Sequence, residues 1–438
     1  MYTLVNAKIT GIWGWNNIET NFHEDVSIFI GANGTGKTTF INILVAILRV
    51  DVAALEELWF DSATLIFEGC FDGRKKRRTL TITRQSGNKY GDESVSYKIS
   101  RVVYDLPFLN GRNVRSIHVQ RRILPVVELI KGKLQEIISF SSLSVSRAGI
   151  SDIDDLEYLD SRKDLNQVNS IDSILTELLN KLKVYQLKKA QESKEIAREF
   201  QEEVLISVLY DEDIDSSIGL SELAQTDFQE EMKNFTNSYN QLGIQSTLRK
   251  GKAKELISKH FNAIQESVTY LQEAIAEKKG VFDVDKIFAF PLLKRTKKIL
   301  QAGKSAERRR KKLFRPLDIY KKEIQKYFNG KTITLLSDGG LYFKDANRNS
   351  SEYDFKKLSS GEKQILILLT ESLLQDGESK LFIADEPELS LHIDWQSKIL
   401  PSIRMLNRSA QIIVATHSPE VAGEYPENIL DMEDICYE

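Results

Sequence analysis

Apolar and polar positions change period several times along the chain, and each change predicts an element. Val5, Ala7 and Ile9 alternate with Leu4, Asn6, Lys8 and Thr10, the period of two that marks a half-buried strand. Val26-Ser-Ile-Phe-Ile30 is a short apolar run that stops at a glycine, as a buried strand does. From Thr38 to Leu48 the spacing becomes helical, with Phe40, Ile41, Ile43, Leu44, Ile47 and Leu48 on one side. Residues 64–84 predict a hairpin, because Leu65-Ile-Phe-Glu and Thr79-Leu-Thr-Ile-Thr flank the turn dipeptide Asp72-Gly73. Ser116 to Val119 predicts one more strand. Trp13 and Trp15 read as core residues.

Between about 150 and 312 glycine and proline thin out, and Lys, Glu, Gln, Leu and Ile dominate. Ser170–Leu209 and Leu248–Lys279 predict long amphipathic helices. Heptads are not sustained, so a helical insertion with at most a short coiled-coil hairpin is expected. After Pro316 alternation returns. Lys331-Thr-Ile-Thr-Leu-Leu and Leu341-Tyr-Phe-Lys bracket Asp338-Gly-Gly as a second hairpin. Ser360–Leu374 predicts a helix, and Leu381-Phe-Ile-Ala and Gln411-Ile-Ile-Val-Ala predict buried strands. The chain thus divides into an N-terminal αβ part, 1–149, a helical insertion, 150–312, and a C-terminal αβ part, 313–438.

Composition narrows the class. The 438 residues carry a formal net charge of −3, so no global basicity announces a polyanion partner. Cys70 and Cys436 are far apart and in no metal-ligand spacing, which fits a reducing cytoplasm. The N-terminus lacks the pattern of a signal peptide, and no apolar run is long enough to span a bilayer. A cytoplasmic protein with no membrane contact is expected. Two basic runs stand out locally, Arg74 to Arg78 and Lys294 to Arg315, the latter holding a single acid, Glu307. Each reads either as a solvated surface or as a contact for nucleic acid or an acidic protein.

The chemistry begins at Gly31-Ala-Asn-Gly-Thr-Gly-Lys37-Thr38, a GxxxxGK[ST] run between a predicted strand and a predicted helix. Such a loop turns backbone N–H groups toward phosphates at a helix N-terminus. Gly31, Asn33, Gly34, Gly36, Lys37, Thr38 and Thr39 are therefore the expected nucleotide cradle. Lys37 reaches the β- and γ-phosphates, and Thr38 ligates Mg²⁺. Leu381-Phe-Ile-Ala-Asp385-Glu386 is an apolar strand ending in two carboxylates. Asp385 suits a Mg²⁺ contact and Glu386 the base that polarises the attacking water. Gln120, after the strand predicted at 116–119, is the candidate for a further Mg²⁺ and water contact. The adenine contact is not legible, although Trp13 or Trp15 could stack on the base.

Leu358-Ser359-Ser360-Gly361-Glu362-Lys363-Gln364 resembles the signature loop of ABC ATPases, in the form used by the SMC and RecF branch. Pro387-Glu-Leu-Ser-Leu-His392 resembles the D-loop of RecF-like and OLD-like ATPases, with Ile393 where that family often has proline. Val414-Ala-Thr-His417-Ser-Pro is similar to the switch-histidine segment. The resemblance covers about 1–125 and 316–438. It implies an α/β ABC/SMC-type P-loop head, with a mixed sheet, an antiparallel β subdomain and an inserted helical domain.

The same resemblance implies ATP and Mg²⁺ as cofactors and His417 as a γ-phosphate contact. It also implies that Ser359 and Gly361 serve the nucleotide held by an opposite protomer, in an ATP-sandwiched homodimer or a larger ring. Ser360 stands where the pattern has its first glycine. The long separation of Gly31 from Ser359 speaks against a transporter subunit. OLD proteins continue past this segment into a Toprim nuclease domain for which the residues after His417 leave no room, so no nuclease activity of its own is expected. Arg315-Pro316-Leu317 together with Leu358–Gln364 resembles the stand-alone anti-phage defence ATPases of the PARIS (AriA-like) and Septu (PtuA-like) types. Those act with a separate nuclease or toxin effector. A RecF-like repair ATPase that binds DNA directly is the second reading.

Overall fold

The computed structural model describes residues 2–85, 93–108, 117–144, 171–207, 209, 227–241, 250–277, 281, 283–289, 291–335, 340–345, 352–378 and 380–437. The chain forms two compact units, one of Met1–Lys183 with Leu317–Glu438 and one of Val184–Pro316.

Among the described residues the first unit contains two large sheets and a short two-stranded one. Strands β1 (Thr3–Ile12), β2 (Asn16–Asn21), β4 (Ser62–Phe71), β5 (Arg74–Gln85), β6 (Ser94–Ile99), β7 (Val102–Pro107) and β14 (Cys436–Tyr437) make an antiparallel sheet in the order β14-β2-β1-β4-β5-β6-β7. A second sheet, β13-β3-β12-β11-β8, is parallel throughout. Its strands are β3 (Val26–Ile30), β8 (Ser139–Ser144), β11 (Lys380–Asp385), β12 (Gln411–Ala415) and β13 (Ile429–Asp431). Helix α1 (Lys37–Arg49) follows β3 and buries Phe40, Ile43, Leu44 and Ile47 in the main apolar core, and the short α2 (Val52–Glu57) follows it.

The alternation at β1 slips where the register shifts between Leu4 and Asn6. Leu4 turns inward and Val5 does not, so the strand buries Leu4, Ala7 and Ile9. Gln411 holds this irregularity: its side-chain oxygen accepts from the Leu4 amide at 2.9 Å, and its nitrogen donates to the Leu4 carbonyl at 2.7 Å. One buried amide thereby satisfies the backbone of Leu4, which lies beyond the pairing with β2 that begins at Asn6.

The hairpin at Asp72-Gly73 is present, with both turn residues at positive φ, 51° and 72°, as a tight two-residue connection requires. The basic run at its tip is exposed; Arg77 pairs with Glu68 across the strands, and Lys76 lies over the Phe71 ring. The strand expected at 116–119 is not found. Ile117 to Gln135 is helix α3, whose buried residues Ile123, Val127, Ile130 and Leu134 follow a helical period. Two apolar residues at 117 and 119 fit either period, and the longer pattern decides. Asp338-Gly339 lies outside the described residues; the strands around it, β9 (Lys331–Leu335) and β10 (Leu341–Asp345), pair as expected.

The second unit is helical. It contains α5 (Phe228–Gln241), α6 (Lys250–Ala276), α7 (Val284–Ile287) and most of α4 (Ile171–Ile206) and α8 (Pro291–Gln325). Phe235, Phe261 and Leu300 form one cluster and Ile264, Val268, Leu271 and Leu293 another. Pro316 lies inside α8 rather than at its end. A proline removes one helical donor without forcing a stop when the rest of the helix is well packed. Along the basic run, Arg309 pairs with Glu199 and Lys311 with Glu307, while Arg308, Arg310, Lys312 and Arg315 are exposed.

Candidate nucleotide site

The parallel sheet brings the motifs to one edge. In register, Asp385 sits beside Ala415 and Ser144, Ala415 beside Phe29, and Asp431 beside Ile30. Every strand therefore ends at the same level, where the loops that follow converge, the usual ligand edge of an open α/β sheet.

Beyond β3 the loop uses glycine where the backbone demands it. Gly34 and Gly36 have φ of 87° and 95°, and Gly36 is the N-cap of α1 with no side-chain cap bond. The helix thus begins with unsatisfied N–H groups and the positive end of its dipole. Lys37 is buried, and its Nζ donates to the Gly31 and Ala32 carbonyls at 2.8 and 2.9 Å. Burial lowers its pKa, while the carboxylates of Glu386, Asp385 and Asp431 push it back up. Asn33 and Gly34 are exposed on the loop, and Thr38 and Thr39 are half-buried in the first turn of α1.

Thr38 Oγ1 donates to Asp385 Oδ1 at 3.3 Å, joining two residues 347 apart in sequence. A hydroxyl and a carboxylate, both hard oxygen donors, beside an uncapped helix N-terminus fit Mg²⁺, which favours one or two protein oxygens, phosphate and water. Burial raises the Asp385 pKa to about 6, and the Glu386 and Glu388 charges add to this; the Thr38 hydrogen bond and His417 oppose it. A bound cation would remove the desolvation problem.

Glu386 has φ 48°, a backbone state unusual for a residue with a side chain, and its amide donates to the Ala415 carbonyl at 2.8 Å. The strained turn aims its carboxylate at His417, with Nε2 to Oε1 of 3.5 Å. Both side chains are partly exposed at the strand ends, so an acid–base pair lies open to a ligand there.

Ser359 and Gly361 lie at the start of α9 (Ser360–Leu374). Ser359 and Glu362 form a full capping box: the Ser359 amide donates to Glu362 Oε2 at 2.9 Å and the Glu362 amide to Ser359 Oγ at 3.3 Å. Lys331 holds the other Glu362 oxygen at 2.6 Å. A Cβ at Gly361 would come within 2.6 Å of the Ser390 carbonyl oxygen, so the D-loop itself demands a glycine. Ser360 is exposed, which accommodates a side chain where the family pattern has glycine. The hydrogen bonds of Ser359 stay within its own helix turn.

Gln120 falls in the first turn of α3 rather than after a strand, and its side chain lies outside the described residues. It does not stand at a strand end, where it was expected. The strand flanking Asp385 is β8, whose serine-rich sequence gave no clear strand signal. Trp13 and Trp15 are not core residues: they are 42% and 59% exposed. The Trp13 ring lies against the P-loop, where a Cβ on Gly36 would meet its Cη2 at 3.4 Å. Glu388 went unnoticed in the sequence, although it is buried beside the switch loop and accepts from the His417 amide at 3.0 Å. It lies within the Pro387–His392 segment that resembles the D-loop, a resemblance that assigns it no role of its own.

A P-loop, a carboxylate pair and a histidine at the ends of parallel strands, flanked by an antiparallel sheet, define a P-loop ATPase head of the ABC/SMC type. The chain belongs to the family described as "AAA domain, putative AbiEii toxin, Type IV TA system", which it matches over residues 26–423. It is 30% identical over 200 residues to the "Retron Ec83 probable ATPase" of Escherichia coli, a stretch covering 38% of this chain and 35% of that protein. The chain thus spans about a third of that relative's length. Among solved structures it aligns with the Smc head domain from Pyrococcus furiosus bound to the C-terminal domain of ScpA. That alignment has a TM-score of 0.41 and 14% identity and covers 98% of this chain and 93% of that one. It also aligns with the SMC head domain from Thermotoga maritima, with a TM-score of 0.36 and 11% identity, covering 96% and 91%. Among the described residues no helix is long and apolar enough to cross a membrane.

Proposed function

We propose that the protein binds and hydrolyses Mg²⁺-ATP in a site completed by a second copy of itself, and that it serves a prokaryotic anti-phage defence system as its sensor and scaffold ATPase, governing a separate nuclease or toxin effector. The observation that carries the chemistry is the meeting of Lys37, Thr38, Asp385, Glu386 and His417 at one sheet edge.

In this reading the P-loop amides and Lys37 hold the phosphates. Thr38 and Asp385 hold Mg²⁺, which when bound neutralises phosphate charge. Glu386 accepts a proton from the attacking water, and His417 contacts the γ-phosphate and keeps the Glu386 carboxylate aimed. Trp13, exposed beside Gly36, offers its face to the adenine.

A γ-phosphate held from one side by Lys37 and a cation keeps anionic oxygens on the other. A second helix N-terminus with a serine hydroxyl, Ser359 and Gly361 of another copy, suits them. The exposure of Ser359 and of D-loop residues Leu389 (47%) and Ile393 (58%) supports such a mating face. The defence role is supported by the toxin–antitoxin description of the family and by the retron ATPase relative. PARIS-like and Septu-like systems are the nearest frame for it.

A mixing experiment tests the shared site. Lys37→Ala and Ser359→Arg protomers, each inactive alone, should regain hydrolysis when combined, because one of the two interfaces then holds an intact P-loop and an intact signature. No recovery in demonstrated mixed dimers rejects the shared site. The second reading, direct DNA clamping, draws on the exposed residues Arg308, Arg310, Lys312 and Arg315. ATP-dependent DNA binding by the protein alone, falling steeply with salt, would favour it.

A further inference from the structure

Glu388 is a buried carboxylate with an unusual distribution of partners. Its Oε1 takes three donors from one short segment: the Thr416 hydroxyl, the His417 amide at 3.0 Å and the Ser418 amide at 3.3 Å. Its Oε2 is buried with no hydrogen-bond partner among the described residues. Burying a carboxylate costs free energy that hydrogen bonds on one oxygen alone do not fully offset. A group retained on such terms points to a role beyond stability.

The surroundings define that role. Thr416 to Ser418 is the loop that presents His417, and Thr416 Oγ1 accepts from the Ser418 amide at 3.0 Å, tightening it further. Glu388 itself sits in a stiff turn bracketed by positive φ at Glu386 (48°) and Ser390 (69°). The turn is closed by bonds from the Leu389 amide to the Glu386 carbonyl at 3.0 Å and from the Leu391 amide to the Glu388 carbonyl at 2.8 Å. At its far end the Ser390 carbonyl packs on Gly361. One rigid turn therefore touches the signature helix, the switch loop and Glu386.

We infer that Glu388 is a positioning residue, whose carboxylate fixes the switch loop to the D-loop and so sets His417 against Glu386 in register with the signature helix. It touches no substrate. Its effect passes through the three donors at Oε1. The inference rests on the hydrolytic reading given above, and a displacement of the signature helix on mating with a second copy would reach His417 by this route.

The experiment compares Glu388→Ala, Glu388→Gln and Thr416→Val with the unaltered protein. It measures kcat, KM, the Kd for Mg²⁺-ATP and the thermal midpoint. Glu388→Ala is expected to lower kcat about 100-fold while Kd stays within about threefold, because the P-loop is untouched. Glu388→Gln keeps an oxygen for the three donors and should recover at least about tenfold of that loss. Thr416→Val removes one donor, is less disruptive to folding, and should lower kcat about fivefold at unchanged Kd. Turnover of Glu388→Ala or Thr416→Val within about twofold of the unaltered protein would overturn the inference. So would losses of kcat, Kd and thermal midpoint in parallel, which mark a merely structural residue. If the unaltered protein binds Mg²⁺-ATP without hydrolysing it, the hydrolytic reading fails instead, and the two failures are distinguishable.

Discussion

Two helix N-termini are assigned to phosphate in the proposed function, and they are built in opposite ways. The P-loop helix starts at Gly36 with no side-chain cap, and its first donors are left for an external anion. The signature helix starts at Ser359 with a complete capping box, and Lys331 braces the Glu362 carboxylate. The first end is organised to take phosphate by itself. At the second the Glu362 amide is already taken up by Ser359, and Glu362 places negative charge where an anion would otherwise approach. Engaging a phosphate there requires the Ser359 hydroxyl to be shared. The contrast supports the proposed function, in which a protomer binds nucleotide alone and closes on a second copy only when that nucleotide is in place.

The largest expected effect breaks the P-loop side. Lys37→Ala should weaken ATP binding by about 100-fold or more, since a buried ammonium at the phosphates is lost. Isothermal titration with Mg²⁺-ATP checks this; wild-type affinity would remove Lys37 from the cradle. Next in size is Gly361→Ala. Its Cβ would lie 2.6 Å from the Ser390 carbonyl, which cannot move without the D-loop. A loss of about 1–3 kcal/mol in urea unfolding is expected, with nucleotide affinity of the protomer retained.

Asp385→Asn tests the charge held at the end of β11. A folded-state pKa of about 6, raised by burial, means that the folded protein binds the proton more tightly than the unfolded chain does. The stability contributed by this group is full below the ordinary carboxylate range and is lost as pH rises through about 6. In the absence of metal and nucleotide, the asparagine variant should therefore be more stable at pH 7.5, by on the order of 1–2 kcal/mol. The gain should fade toward pH 5. Differential scanning calorimetry across that range decides it, and a variant less stable at pH 7.5 would contradict the assignment. The smallest effect sharpens the comparison from the signature side. Ser359→Ala removes the cap and should cost about 1 kcal/mol of stability, leaving the protomer's affinity for ATP unchanged. A drop in that affinity would mean that Ser359 serves its own protomer's nucleotide.

Legibility in the sequence followed the range of the interaction. Gly31 to Thr38, Asp385 and Glu386 were readable because their geometry is local. A glycine loop after a strand and before a helix, or carboxylates ending an apolar strand, needs only neighbours in sequence. The helix at Ser360–Leu374 was readable for the same reason, since its cap lies within four residues. Gln120 was misplaced because Ile117 and Val119 match a strand period as well as a helical one, and packing of Ile123, Val127 and Ile130 settled the matter. Trp13 and Trp15 were read as core on hydrophobicity alone, yet a positive φ of 56° at Trp13 accompanies the turn that leaves both exposed beside the P-loop.

By itself, then, the sequence determined most strand and helix segments of the head and the glycine-rich loop between β3 and α1, because both depend on hydrophobic period and local turn chemistry. Tertiary structure alone decided that Gln411 takes up the Leu4 backbone, and that Thr38 and Asp385, expected on one cation, bond directly across 347 residues. It alone decided that Gly361 must lack a side chain beneath Ser390, and that Glu388 gathers the switch loop. These contacts join segments that no local pattern relates; they exist only because parallel strands laid down far apart in the chain end at one level.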